Sequence, residues 1–351
     1  MTTAQPASPW FSTGAVQVLG TGLALPGPAV STDELVDRLT TRFGFRSGRR
    51  ARAIAAMLGI ERRHLCRAFD QRQEKAIHGR ANLDLAAEAV RLALAQSGLG
   101  ISDIGYLIGH TSTPAQLLPA NIALVADLLD YSGPHMELRQ ACTGFANALV
   151  IAFGLLAVPG SRPVAIVGSE TGSLFFNPSR ADENPGQLVN MVQMGDGAAA
   201  IVLAPSAASG ATIRSAWFGT TGLGRSPGIE IVADRPQEFQ HHFEAIRDAG
   251  EGLFEAAVQA ASQQGVAVAD VDVILPHQVS GRIGAQCADY FGLSKDRVFV
   301  NASRVGNTGS AAIWLALAEL RERPLDPGFR ALVLGAEASK YMHGGFVYDH
   351  R

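Results

Sequence analysis

The chain has 351 residues, 47% of them hydrophobic and 17% charged, with a formal net charge of −3. This describes a globular protein with a large core and room for about two domains, and it gives no electrostatic basis for binding nucleic acid or an anionic membrane. Three cysteines without a C-x-x-C pair suggest neither a disulfide framework nor a zinc site, and they fit a reducing cytoplasm.

The opening MTTAQPASPWFSTG lacks a basic segment followed by an apolar one, so it reads as a short flexible arm and not as a signal peptide. VQVLGTGLALP (16–26) reads as a strand ending at glycine and proline, and Ser31-Thr32-Asp33-Glu34 as a helix start with acidic residues in its first turn. Arginines then crowd 42–52 and 58–67. They form either a solvated face or a dock for a phosphate-bearing substrate or an acidic carrier protein, since guanidinium forks suit phosphate and carboxylate. NLDLAAEAVRLALAQSG (82–98) has apolar residues at helical spacing and a closing glycine. His110, at the end of the next strand, has no partner at metal-ligand spacing and reads as structural.

RQACTGFANALVIAFGLLAV (139–158) is the stretch around which the chain is organised. A strand-like run gives way at Cys142 to a long apolar helix. A thiol at a helix N-terminus faces unpaired N–H groups and the positive end of the dipole, which favours thiolate and makes Cys142 a candidate acyl-carrying nucleophile. Gly144 would let a substrate approach the backbone. The alternative is a buried, inert cysteine. The polar residues Thr143 and Asn147 make 141–158 a buried central helix and not a membrane span.

Beyond it, 169–193 is polar and rich in proline and asparagine, a surface excursion that could line an entrance, and Gly195-Asp196-Gly197 leads into another strand. SAASG (206–210) reads as a linker, which divides the chain into 1–207 and 208–351. The glycine-rich FGTTGLGRSPG (218–228) lacks the strand-loop-helix arrangement of a dinucleotide site. LPHQVSGRIG (275–284) puts His277 at the end of an apolar strand, as hydrogen-bond donor or general base. VGNTGSAAIWLAL (305–317) puts Asn307 at a helix start, either as an N-cap or as an N–H donor to a developing oxyanion.

The two halves repeat each other. IGYLIGHTSTP, HMELRQACTGFANALVIAFGLL and PVAIVGSETGS are echoed by VDVILPHQVS, RVFVNASRVGNTGSAAIWLALAELRE and RALVLGAEASK, at nearly the same spacing. Cys142-Thr143-Gly144 then superposes on Asn307-Thr308-Gly309. Two similar halves packed face to face would bring Cys142 and Asn307 to one central site.

ACTGFANAL (141–149), GDGAAAIVL (195–203), HQVSGR (277–282) and GNTGSAA (306–312) together resemble the thiolase-fold condensing enzymes, specifically the β-ketoacyl-(acyl carrier protein) synthase III family, across residues 16 to 347. The resemblance implies an α/β fold of five layers, α-β-α-β-α, built from two duplicated halves, and commonly a homodimer. It also implies a Cys142, His277 and Asn307 catalytic set without metal or bound organic cofactor, an oxyanion hole from the N–H groups of Cys142 and Gly345, and acyl-CoA or acyl-carrier-protein thioesters as substrates. Cys142 would take an acyl group from one thioester and pass it to the enolate of a decarboxylating malonyl thioester. Arg282 matches a residue at the phosphopantetheine entrance, and Leu118 lies where the family often has a phenylalanine reaching into the neighbouring subunit's acyl pocket. Ala53 and Met57 stand where typical members have the tryptophan and arginine that grip the CoA nucleotide. These departures point to a specialised pathway and a medium or bulky acyl donor. Two other readings stay open: acyl transfer from Cys142 to an alcohol or amine with His277 as base, and a non-catalytic partner subunit.

Overall fold

A computed structural model describes residues 8–69, 80–231 and 238–351; residues 1–7 of the expected arm lie outside them. The strands are, in chain order, β1 (Trp10–Phe11), β2 (Ala15–Ala24), β3 (Val30–Ser31), β4 (Arg62–Arg63), β5 (Tyr106–His110), β6 (His135–Leu138), β7 (Val164–Glu170), β8 (Gly197–Pro205), β9 (Thr212–Thr220), β10 (Ile229–Glu230), β11 (Gln240–His241), β12 (Val273–Pro276), β13 (Arg330–Glu337) and β14 (Met342–Asp349). The helices are α1 (Thr32–Phe43), α2 (Gly48–Leu58), α3 (Ala81–Ser97), α4 (Asn121–Leu128), α5 (Gly144–Leu156), α6 (Pro185–Gln193), α7 (Phe243–Gln263), α8 (Ile283–Phe291), α9 (Ala302–Val305) and α10 (Ala312–Arg321).

The repeat seen in the sequence is written into the strand pairing. In the first half the order is β6-β5-β7-β8-β2, in the second β12-β13-β14-β9, and β2 joins β9 through Ala15–Arg214 and Gln17–Thr212. Each half pairs its strands by one rule. β5 is parallel to β7 as β12 is to β13, and β7 is antiparallel to β8 as β13 is to β14. The second half's counterpart of β6 is reduced to a parallel bridge between Ile274 and Val298.

Five layers follow from side-chain alternation, because successive strand residues face opposite sides of a sheet. Val164 and Ile166 of β7 face inward and join Phe145, Leu149, Trp314 and Leu317 of α5 and α10 in the central core. Ala165 and Val167 face outward, where α3 and α4 cover them. On the far side α7 covers Ile274, Leu332 and Leu334. Helix α5 is apolar nearly all round, as a helix buried between two sheets must be; Phe145 meets Trp314 edge-to-face with ring centroids 5.8 Å apart.

Local signals set the element ends. Ser31 and Glu34 form a capping box at α1, and α3 ends at Gly98 in the left-handed region, φ +71°. One expectation changes at the N-terminus. Trp10 and Phe11 pair with Phe218 and Trp217 as a short strand, and Trp10 packs on Phe153, so two apolar side chains dock this part of the arm to the sheet. The 169–193 segment is also less exposed than its composition suggests: Ser173, Gln187 and Asn190 are buried, their polar groups bonded to Asp196 and the Phe239 carbonyl.

Candidate active site

Cys142 lies in the turn that starts α5, closed by the Gly144 N–H donating to the Ala141 carbonyl at 3.0 Å. The next residue, Thr143, is buried and donates through both its N–H (2.9 Å) and its hydroxyl (2.7 Å) to one oxygen of Glu337. What approaches Gly144 closely is not a substrate but His110, since a Cβ there would stand 2.5 Å from its Nδ1. His110 accepts from Trp314 Nε1 at 3.0 Å, and burial lowers its pKa to about 3, so it is a neutral core residue.

Asn307 is pinned by two backbone bonds to the stretch from the end of α6 to β8: its N–H donates to the Gln193 carbonyl and its carbonyl accepts from the N–H of Gly195, which opens the Gly195-Asp196-Gly197 segment. Asp196 anchors that segment by accepting from the N–H groups of Cys66 and Ser173. The Asn307 side-chain oxygen accepts from the Gly309 N–H at 3.0 Å. This cap ties up the oxygen and leaves the amide N–H₂ as the end offered to a ligand. The two roles read from the sequence, N-cap and N–H donor, are therefore compatible.

His277 follows β12, its N–H donating to the Leu334 carbonyl at 2.7 Å. The loop after it is held by Gln278, which donates to the Phe299 carbonyl and accepts from the N–H groups of Asn301 and Ala302. Neither His277 ring nitrogen has a partner, and burial lowers its pKa to about 4, so near neutral pH the ring has one free donor and one free acceptor.

A cavity of about 360 Å³ is lined by Cys142 and Asn307 together, one from each half. His277 is not on its wall; the link to its loop is Gln193, which lines the cavity and donates to the Val279 carbonyl two residues beyond His277. The remaining expected residues fall elsewhere. Leu118 projects from the chain, 86% exposed, while Leu117 lines the cavity. Arg282 is exposed over Gly59, donates to the Ala56 carbonyl and lies on the surface with Ala53 and Met57. Gly345 requires a correction. It sits inside β14, paired with Leu334 on one side and Trp217 on the other, where a Cβ would strike the Trp217 ring at 2.4 Å. Sheet packing accounts for that glycine, and the C-terminal residues that do line the cavity are Glu337, Ala338 and Ser339. Among the described residues no group of three His, Cys, Asp or Glu is placed to hold a metal ion, and no helix is long and apolar enough to cross a membrane.

Two buried cavity carboxylates escaped the sequence reading. Glu170 ends β7 and accepts from Ser112 Oγ (2.9 Å), the Ser310 N–H (3.0 Å), Ser310 Oγ (2.8 Å) and Thr113 Oγ1. Glu337 ends β13 and accepts from Thr143 as described and from Ser339 Oγ. The halves thus exchange carboxylates, since Glu170 holds the residues leading into α10 and Glu337 the turn leading into α5. The signal was in the repeat, Gly168-Ser169-Glu170 against Gly335-Ala336-Glu337. They also alter the chemistry of Cys142. Burial, then the charges of Glu337 and Glu170, push its thiol well above the ordinary value, opposite to the shift expected from the helix N-terminus. The thiol rests protonated and must lose its proton during reaction.

Residues 136–222 match the family described as 3-oxoacyl-[acyl-carrier-protein (ACP)] synthase III, and residues 261–347 match its C-terminal part. A β-ketoacyl-[acyl-carrier-protein] synthase III of Neisseria gonorrhoeae is 29% identical over 348 residues, covering 95% of this chain and 97% of the relative. The structure of AbyA1, a tetronic acid condensing enzyme, superposes with a TM-score of 0.81 at 30% identity over 95% of this chain and 99% of that one. The 3-oxoacyl-(acyl carrier protein) synthase III of Pseudomonas aeruginosa superposes with a TM-score of 0.78 at 27% identity, over 96% and 98%. The duplicated topology, the two helix starts meeting at one cavity and these matches agree: the chain belongs to the β-ketoacyl-(acyl carrier protein) synthase III family of thiolase-fold condensing enzymes.

Proposed function

We propose that this condensing enzyme carries an acyl group on Cys142 and joins it to a malonyl-type thioester by decarboxylative Claisen chemistry in a specialised biosynthetic pathway. The observation that carries the reading is the shared cavity, lined by the half-buried Cys142 of one half and by Asn307 of the other, whose amide N–H₂ is left for a ligand.

In the loading step Cys142 Sγ bonds to the thioester carbonyl carbon, the carbon–sulfur bond of the donor breaks, and the Cys142 proton leaves with the departing thiol. The N–H of Cys142 and a backbone N–H of the 338–339 turn stabilise the oxyanion. In the second step His277 and Asn307 hold the malonyl thioester carbonyl. Loss of carbon dioxide leaves an enolate, whose carbon bonds to the acyl carbon as the bond to Cys142 Sγ breaks. A 3-oxoacyl thioester departs, and no cofactor is consumed.

Acyl carrier protein or CoA delivers the substrates, and a homodimer is the assembly the family suggests. Two features support a specialised pathway: Ala53 and Met57 lie exposed and neither side chain supplies the indole or guanidinium that typical members place there, and a tetronic acid condensing enzyme is among the similar structures. The test is intact mass after mixing with acyl-CoA and acyl-carrier-protein donors, with Cys142→Ala as control, followed by a malonyl-carrier-protein chase monitored for carbon dioxide. An adduct on wild type alone, discharged with carbon dioxide release, is expected. Discharge without carbon dioxide would favour transfer to an alcohol or amine, and no adduct from any donor would overturn the reading.

A further inference from the structure

The two exchanged carboxylates are equivalent by duplication but not by occupancy. A carboxylate offers about four lone-pair sites. Glu170 has all four filled, by Ser112, Thr113 and two donors of Ser310. Glu337 has two filled on Oε2 by Thr143 and one on Oε1 by the hydroxyl of Ser339. It is 3% exposed, yet it lines the cavity with Ser339 and Cys142. One acceptor position beside the nucleophile is therefore spare, shielded from bulk water and open to whatever occupies the cavity.

The rest of the wall leaves this position to the substrate. Gln140, Asn190 and Gln193 line the cavity but are already bonded within the protein, Arg139 is paired with Glu137, and Leu117, Phe175 and Ile231 offer apolar surface for the remainder of an acyl chain. An unsubstituted alkyl chain beside Glu337 would leave Oε1 with the Ser339 bond alone and would shield its remaining lone pair from water, at a cost.

We infer that Glu337 is a specificity-determining residue that selects acyl groups bearing a hydroxyl within a few atoms of the thioester, accepting that hydroxyl's hydrogen bond on Oε1. The inference rests on the reading of Cys142 as acyl carrier and names the class of acyl group it carries. No bond to Glu337 forms or breaks. A site built to accept from a substrate hydroxyl disfavours the analogue that lacks it, because the buried carboxylate is then left one bond short.

The experiment compares butyryl with 2- and 3-hydroxybutyryl groups, each delivered on CoA and on holo acyl carrier protein, by the rate of adduct formation on wild type, Glu337→Gln and Glu337→Met. Wild type should load a hydroxylated chain about tenfold or more faster than butyryl. Glu337→Met should lose that preference by loading butyryl at least as well. Glu337→Gln keeps an amide oxygen for Thr143 but replaces the Oε1 acceptor with a donor, and should lower the preference several-fold while the helix start stays capped. Because Gln preserves the cap, it reports even if Met fails to fold. Equal loading of butyryl and both hydroxybutyryl groups by wild type overturns the inference, as does a preference that neither variant changes. An equal fall for all donors in both variants also overturns it, showing that Glu337 only positions Cys142. These outcomes all require adducts. Absence of any adduct on wild type instead removes the acyl-carrier reading, and the inference with it.

Discussion

Replacing Glu170 with leucine tests whether the exchanged carboxylates hold the two halves together. The substitution keeps the volume roughly constant and removes four accepted hydrogen bonds in a fully buried site. The Ser310 N–H has no other partner within reach, and a stranded buried donor costs about 1–3 kcal/mol. The hydroxyls have alternatives: Ser310 Oγ can turn to the Gln140 carbonyl, 3.3 Å away, and Thr113 Oγ1 keeps the Thr171 N–H that it accepts at 2.8 Å. Losing their bonds costs nearer ~1 kcal/mol each. The sum is about 4–6 kcal/mol, a large share of the ~5–15 kcal/mol that holds a typical protein folded. Glutamine should cost far less, under about 1.5 kcal/mol, because its amide oxygen keeps both Ser310 bonds and its N–H₂ can donate to the hydroxyls. Burial also raises the Glu170 pKa, which brings the native group closer to glutamine's charge state. Urea unfolding of the three proteins gives the differences directly. A leucine variant within about 1 kcal/mol of wild type, or a glutamine variant no better than leucine, would refute the clamp.

Alkylation of Cys142 by iodoacetamide should be slow at pH 7 and still rising above pH 9, because the thiol sits well above its ordinary value; Glu337→Gln should raise the rate at any given pH by removing the nearest negative charge. A rate already saturated below pH 7 would contradict this. Gly144→Ala should cost about 1–3 kcal/mol and disturb the nucleophile's helix start, since the new Cβ falls 2.5 Å from His110 Nδ1; unchanged stability and acylation would show that this approach is not tight. His277→Ala should still form the Cys142 adduct yet lose carbon dioxide release by about a hundredfold or more, and intact mass with a radiolabelled malonyl chase separates the two effects.

The sequence made the architecture legible because duplication repeats its pattern of apolar runs, and the strand pairings of both halves follow from aligning them. It also brought Cys142 and Asn307 together, since equivalent helix starts in facing halves must meet. Single-residue geometry was less accessible. HGGFVYD offers two adjacent glycines, and nothing in the letters says that Gly345 faces Trp217 inside the sheet while 338–339 turns to the cavity. A helix N-terminus suggested a reactive thiolate, but the opposing carboxylate of Glu337 is 194 residues away from Thr143 in the chain and becomes a neighbour only through folding. The acid at the end of each apolar strand gave no chemical signal of its own, although its recurrence in both halves was the available sign.

The exchange of glutamates has a consequence for how the pocket can adapt. Each half's carboxylate grips the other half's helix start, so Cys142 and Asn307 are cross-laced at the cavity floor as well as joined through the sheets. A substrate that needs more space cannot gain it by spreading the halves without tearing both laces. Accommodation is left to the outer rim, where Ile229, Ile231, Phe239 and His241 come from the short β10–β11 pair, two residues on each strand, and its approaches. Changes in the size of acyl group accepted should therefore map to that rim, while the floor, where Glu337 meets the acyl group's polar substituent, keeps a fixed gauge.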